Sequence, residues 1–213
     1  MKHTLLILIV LFGLYSCSDD YLVDGGLAKQ NVGTTTFEFL KSHKQLDTLA
    51  ILIEKADMIN VVNAKSTTLF APNNNSIKRY VNAILAKKQN IDPLATFTIN
   101  DIPVSELKVM LGNYIFDETI DRSKMVKEGK IYKTHSGEDR MISLQPVDAY
   151  NGQLDSFPEY AYYIFKVGPD WDPIEKAVDD HKTVVRTSNL ISTNGVIHVL
   201  QGDHMFSNYI PIP

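Results

Sequence analysis

Thr193-Asn194-Gly195-Val196-Ile197-His198-Val199-Leu200-Gln201, close to the end of the 213-residue chain, is the stretch whose reading decides the fold. Asn-Gly tolerates positive φ at both positions and is a strong two-residue hairpin signal. The Val, Ile, Val and Leu that follow, set around one His, are too short a run for a typical buried helix and fit a buried strand. Just upstream, Thr183-Val184-Val185-Arg186-Thr187-Ser188-Asn189-Leu190-Ile191 reads as its antiparallel partner. Together they predict a long ribbon closing a β-rich fold.

Working outward, Thr67 to Phe70 reads as a brief strand that Ala71-Pro72 stops. Asn73 is placed to cap a helix carrying Ile77, Val81, Ile84 and Leu85 on one face. Further upstream, Thr36 is a candidate N-cap, and Leu46, Leu49, Leu52, Ile53 and Ala56 recur at helical spacing. Met58 to Asn63 suits one short turn of helix. Downstream, Ala86 to Phe97 is polar at first and broken by Asp92-Pro93, so a loop is expected. Ser105 is a candidate cap for a helix through Leu111. Lys130 to His135 and Arg140 to Leu144 predict a hairpin turning at Ser136-Gly137, and Tyr162 to Val167 a further strand. The connections Gln145 to Ala161 and Gly168 to Asp180 are longer than such a fold needs.

Two blocks now carry a resemblance. Asn194-Gly195-Val196-Ile197-His198-Val199 resembles the second signature block of the fasciclin domain family, and Thr68-Leu69-Phe70-Ala71-Pro72-Asn73-Asn74-Asn75-Ser76-Ile77 resembles the first. They stand in the family's order and at a suitable separation, and the likeness runs from Thr35 to Phe206. The resemblance implies an α+β class: a single fasciclin-like domain with helices packed against a β-sheet wedge or sandwich. It makes Phe70, Pro72, Asn73, Asn194, Gly195 and His198 carriers of the fold. It implies adhesion or extracellular interaction as the usual role, but names no ligand, because the family shares a scaffold and not a reaction. Asn113-Tyr114 stands where a Tyr-His pair is common. Asn189-Leu190 stands where integrin-binding animal members often carry Asp-Ile. An uncharged Asn is a poor ligand for a receptor-bound cation, so integrin recognition is not expected.

The bulk numbers fit one domain or at most two. Apolar residues make up 44% and charged residues 22%, which is ordinary for a globular chain. The net charge of -4 with no basic run excludes the electrostatic footprint of a nucleic-acid binder. The one cysteine, Cys17, excludes an intrachain disulfide and any cysteine-based metal cluster. Lys2 and His3 precede a mostly apolar run from Thr4 to Tyr15, the pattern of a secretory signal. It is shorter than the ~20 apolar residues a spanning helix needs. The run ends in Leu14-Tyr15-Ser16-Cys17, which resembles a bacterial lipoprotein cleavage box with Cys17 as the lipidated residue. Ser18-Asp19-Asp20 resembles a surface-export signal. The expected organisation is a signal peptide over 1–16, a lipidated tether over 17–34, the domain over 35–208 and a tail over 209–213. The expected location is the cell envelope, at the outer membrane. The membrane is contacted through the lipid, and the expected partner is an extracellular or envelope protein or a glycan.

No catalytic motif holds: there is no Gly-x-Ser-x-Gly, phosphate loop, dinucleotide fingerprint or His-Glu-x-x-His. No catalytic residue, cofactor or metal is therefore expected. His198 and His204 lack a known ligand spacing, and His198 reads as a core or edge histidine bonded to backbone. Asp170 and Asp172 begin like a calcium loop but lack its glycine and its later bidentate Glu. Asp179 and Asp180 are adjacent, so their side chains diverge and read as a solvated face. Trp171, Tyr150 and Tyr160 in the long connections are the candidate binding residues, since aromatic rings give flat contact area for a sugar. Two further readings follow: a glycan-binding accessory lipoprotein of an outer-membrane uptake system, discriminated by exposure of these rings, and an enzyme whose pocket gathers His135, His181 or His204 with a carboxylate.

Overall fold

The computed structural model describes residues 30–148, 152, 157–174 and 179–208. Three short helices open it: α1 (Thr36–Ser42), α2 (Asp47–Lys55) and α3 (Ile59–Val62). Strand β1 (Thr67–Ala71) leads into the long helix α4 (Asn74–Gln89), followed by α5 (Val104–Gly112). The remaining strands are β2 (Ile115–Phe116), β3 (Lys130–Lys133), β4 (Asp139–Pro146), β5 (Glu159–Phe165), β6 (His181–Ile191) and β7 (Gly195–Leu200). A final 3-10 turn covers Phe206–Asn208.

The strands form one sheet in the order β2-β1-β7-β6-β5-β4-β3. Every pairing is antiparallel except β1 with β7, which run parallel with Thr67 opposite Gly195 and Phe70 opposite His198. The two signature blocks are thus hydrogen-bonded neighbours inside the sheet, one strand in from its β2 edge. Strand β6 serves both halves. His181 to Val184 pair with β5, and Val185 to Ile191 pair with β7 across register shifts. Asn189 takes up the distortion at φ 67, in the left-handed region that Asn tolerates better than most residues.

The apolar stripe of α2 does what its spacing predicts: Leu46, Leu49, Leu52, Ile53 and Ala56 are all buried. They meet Phe70, Phe116, Ile142, Tyr163, Ile197 and Phe206 in one core. Phe70 is its hub, with ring centroids 4.6 Å from His198 and 5.4 Å from both Phe116 and Tyr163. Burying a side chain of that size contributes roughly 2–3 kcal/mol.

Several element boundaries differ from the sequence reading, each for a local reason. Thr35, not Thr36, caps α1, accepting from Glu38 N, while Thr36 is buried with its hydroxyl on Ser192 Oγ at 2.8 Å. Helix α4 runs on to Gln89, past the expected loop start at Ala86, because Lys87 and Lys88 are good helix formers that favour a last turn. Helix α5 begins after Pro103, whose fixed φ suits a helix entrance, so Ser105 lies inside it. Asn194-Gly195 joins β6 to β7, yet neither residue has positive φ. The turn is closed by Ser192 instead: its N–H donates to Gly195 O, and its Oγ accepts from Gly195 N.

Candidate functional site

The signature residues form a clamp around the β1–β7 seam. Asn194 accepts from Thr36 N at 2.8 Å through Oδ1 and donates from Nδ2 to Val62 O at 3.1 Å. One amide therefore ties α1, α3 and the start of β7. Gly195 faces Thr67: a Cβ there would lie 2.0 Å from the Thr67 carbonyl oxygen. Asn73 caps α4 through Oδ1, which accepts from Ser76 N at 3.1 Å. Pro72 is buried between strand and helix.

His198 is fully buried and bonded to backbone at both ring nitrogens. Nδ1 accepts from Asn189 N at 3.2 Å, and Nε2 donates to Ile120 O at 2.7 Å. The first bond fixes the neutral tautomer, because a proton on Nδ1 would face another N–H. Burial lowers its pKa to about 4, outweighing the bond to Ile120. His204 is also buried, with Nε2 at 2.7 Å from Tyr114 Oη and Nδ1 at 3.0 Å from Thr183 Oγ1. Ser207 N donates to the same Tyr114 oxygen at 2.8 Å. Burial, then the charges of His181 and Arg140, lower His204 to about 3. Neither imidazole has a free nitrogen for general acid–base work or for a metal.

The acidic loop after β5 is stapled by its own backbone. Asp180 accepts from Val167 N at 2.8 Å and Asp172 N at 2.9 Å, and Asp172 accepts from Asp179 N at 2.7 Å and Asp180 N at 2.9 Å. These carboxylates hold the connection closed, and among the described residues no cluster of His, Cys, Asp or Glu could hold a metal ion. Asp180 is buried, which corrects its reading as part of a solvated face. His135, exposed, lies 3.0 Å from Asp117 Oδ1. His181 packs edge-on against Phe165. His135, His181 and His204 thus engage separate partners.

Of the three candidate aromatics, Tyr160 is 36% exposed on β5, opposite Gln145. Trp171 is half-buried, with Lys166 Nζ 5.8 Å from its ring. Tyr150 lies outside the described residues, as does Cys17. The face of β5 that carries Tyr160 also carries Tyr162, whose ring has Lys182 Nζ at 4.1 Å. Lys182 also donates to Gln145 Oε1 and lies 3.5 Å from Ile174 O, which anchors the loop over this face.

Sequence reasoning missed Arg140. Its side chain is buried with Nε donating to Tyr163 Oη at 2.9 Å, Nη1 donating to Asp139 O at 2.6 Å and the Phe165 ring 4.7 Å away. Tyr163 Oη in turn donates to Asn113 O at 2.9 Å. An arginine opening a strand carries no sign of burial, so no local signal would have found it.

Among solved structures, a fasciclin domain pair from the insect cell adhesion molecule fasciclin I is similar at 13% identity and a TM-score of 0.44, over 76% of this chain. The chain spans 45% of that longer one. No curated protein matches the sequence. A fasciclin domain model matches residues 44–202, which is most of the chain and includes both signature blocks, so the protein belongs to the fasciclin domain family.

Proposed function

We propose that this protein is a non-enzymatic interaction module held on the bacterial cell envelope by a lipid on Cys17. Fasciclin domains are typically adhesion or extracellular interaction modules and are generally not enzymes. The observation that carries the reading is Leu14-Tyr15-Ser16-Cys17 placed directly after an apolar leader and ahead of a fasciclin domain. Two or more acyl chains anchor stably, since each buried CH₂ contributes roughly 0.8 kcal/mol. The commitment of His198 and His204 to bonds inside the core supports a scaffold over a catalyst.

The test is protease shaving of intact cells expressing wild type or Cys17→Ala. Wild type stripped from whole cells, together with a variant lost from the membrane fraction, supports surface display. Wild type that stays in the membrane fraction but resists shaving sinks the outward-facing part and turns the search to other envelope proteins. A second reading, glycan binding, is favoured by the exposed Tyr160 and the half-buried Trp171. In that reading Tyr160→Ala and Trp171→Ala each lower retention on a glycan array, and an unchanged array profile for both removes it.

A further inference from the structure

Helix α4 outruns the core it packs on. Its first half is buried through Ile77 and Tyr80, but every residue from Ala86 to Leu94 is exposed, so the last turn and the loop behind it stand clear of the domain. The projection is closed on itself. Asn90 N donates to Ala86 O at 3.1 Å, and Ile91 N and Asp92 N both donate to Lys88 O, at 3.0 and 2.9 Å. Asp92 makes the next turn: its carboxylate accepts from Leu94 N at 3.0 Å and its carbonyl from Ala95 N at 2.9 Å. Gln89 Nε2 donates to Ala95 O at 3.2 Å across the base. This backbone needs no covering partner, yet it presents Ile91 at 86% exposure and Leu94 at 88%, the two most exposed large apolar side chains among the described residues. Single apolar residues scattered on a surface are ordinary; here one self-closed turn holds two of them outward together.

Charge gathers at the same end. Helix α4 carries Lys78, Arg79, Lys87 and Lys88 and no acidic residue, in a chain whose net charge is -4. Lys87 and Lys88 stand four and three residues before Ile91, and neither has an ion-pair partner among the described residues. The neighbouring acids are engaged elsewhere, Asp92 in its own turn and Asp101 with Thr98 N at 2.8 Å and Thr98 Oγ1 at 2.9 Å.

We propose that this tip is a membrane-contact element: Ile91 and Leu94 enter the interfacial region of an anionic bilayer, and Lys87 and Lys88 meet its phosphate groups. Apolar side chains flanked by lysines are what such a surface takes up, by burial and by attraction to anionic headgroups. A protein partner fits less well. Two side chains are a small part of the ~800 Å² that each member of a specific complex buries, whereas a bilayer needs no matching shape. The proposal rests on the envelope reading only for how the membrane is brought near. From Cys17 to Gln30 the tether spans at most about 45 Å, which lets any face of the domain reach the bilayer. The tip then selects the face that does.

The test uses the purified full-length protein with the fluorophore NBD on Asn90→Cys, which leaves Ile91 and Leu94 in place. NBD on Glu138→Cys, in the exposed turn between β3 and β4, is the control. Each is mixed with vesicles of phosphatidylcholine alone or of phosphatidylcholine with phosphatidylglycerol. On the anionic vesicles the label at position 90 should shift to the blue and lose most of its quenching by aqueous iodide, while the label at 138 does neither. Ile91→Ser with Leu94→Ser, and separately Lys87→Glu with Lys88→Glu, should return the label at 90 to its lipid-free signal. Both pairs should keep urea midpoints close to wild type, because all four side chains are exposed. Equal iodide quenching at 90 and 138 on anionic vesicles overturns the proposal, as does a response that survives both pairs of substitutions. A blue shift at 90 in lipid-free buffer that grows with protein concentration assigns the tip to a second copy and overturns it too. Flotation with the neutral vesicles reads the anchor separately. A chain that floats with them while its label at 90 stays in water keeps the anchor and loses the tip. A chain that leaves them but shows a protected label on anionic vesicles keeps the tip and loses the anchor.

Discussion

Gly195 and Gly137 are glycines for different reasons, and the difference is measurable. At Gly195 a Cβ would sit 2.0 Å from the Thr67 carbonyl oxygen, backbone that cannot step aside without opening the β1–β7 pairing. Gly195→Ala is therefore expected to cost about 3 kcal/mol or more, the upper range for forcing atoms into a packed site. At Gly137 nothing lies within 4 Å, but φ is +87°. Gly137→Ala should cost only about 1–2 kcal/mol, the strain of a left-handed backbone. Urea unfolding of both variants checks this, and equal losses would show that packing at position 195 is not what matters. The Asn194-Gly195 pair was visible in the sequence as a turn between two strands, and that much holds. Its true constraint was not visible, because it comes from β1 lying alongside, and nothing local encodes a partner so far upstream. His198 was legible as a core residue from its apolar neighbours, whereas its bond partners Asn189 and Ile120 depend on tertiary placement.

Elements built on local periodicity were readable, and elements defined by partners were not. The α2 stripe, the Asn73 cap and the β3–β4 hairpin follow from spacing and turn chemistry within a few residues. The parallel β1–β7 pairing, the bend of β6 and the closure of the acidic loop after β5 depend on contacts that spacing does not carry. That loop gives a test at this scale. Asp180 is 8% exposed and its carboxylate accepts from Val167 N and Asp172 N. Asp180→Ala leaves both N–H groups without those acceptors, at a cost of about 1–3 kcal/mol. Faster hydrogen exchange is expected at Val167, Asp172 and their neighbours, with amides of β1 and β7 unchanged. Uniform acceleration across the sheet would mean the loop is part of the global folding unit. A second element, the α1–α3–β7 junction, hangs on Asn194, whose amide serves Thr36 N, Val62 O and, at 3.4 Å, Ala64 O. Asn194→Ala should lower stability by about 2–3 kcal/mol as the two buried partners, Thr36 N and Val62 O, lose their bonds. A shift in the urea midpoint smaller than that of an exposed control such as Lys87→Ala would refute it.

For the molecule as a whole, the two buried imidazoles predict acid lability. The sign follows from which state binds more protons. His198 and His204 have folded pKa values of about 4 and about 3, against 6.5 when unperturbed, so between those values the unfolded chain takes up protons that the folded chain refuses. Stability from this source is complete above pH 6.5 and is lost as pH falls toward 4. His198 alone accounts for roughly 3 kcal/mol across that window, a large share of what a small domain has. The charged groups around the rings do not reverse the sign. Asp121 raises and Arg122 lowers the His198 value, both less than burial does, and His181 and Arg140 lower His204 further. Asp101 and Asp121 have pKa values held below 3.8 by hydrogen bonds to Thr98 and Ser123, so their contribution is lost only at lower pH. Urea midpoints measured from pH 7.5 down should therefore fall steadily once pH drops below about 6.5. His198→Gln, which cannot take up a proton, should be less stable at neutral pH and show a shallower decline. A midpoint flat down to pH 4.5, or a variant with the wild-type slope, would mean that these rings can accept a proton in place. The bond from Asn189 N to Nδ1 would then have to break at little cost, contrary to its position inside the bend of β6.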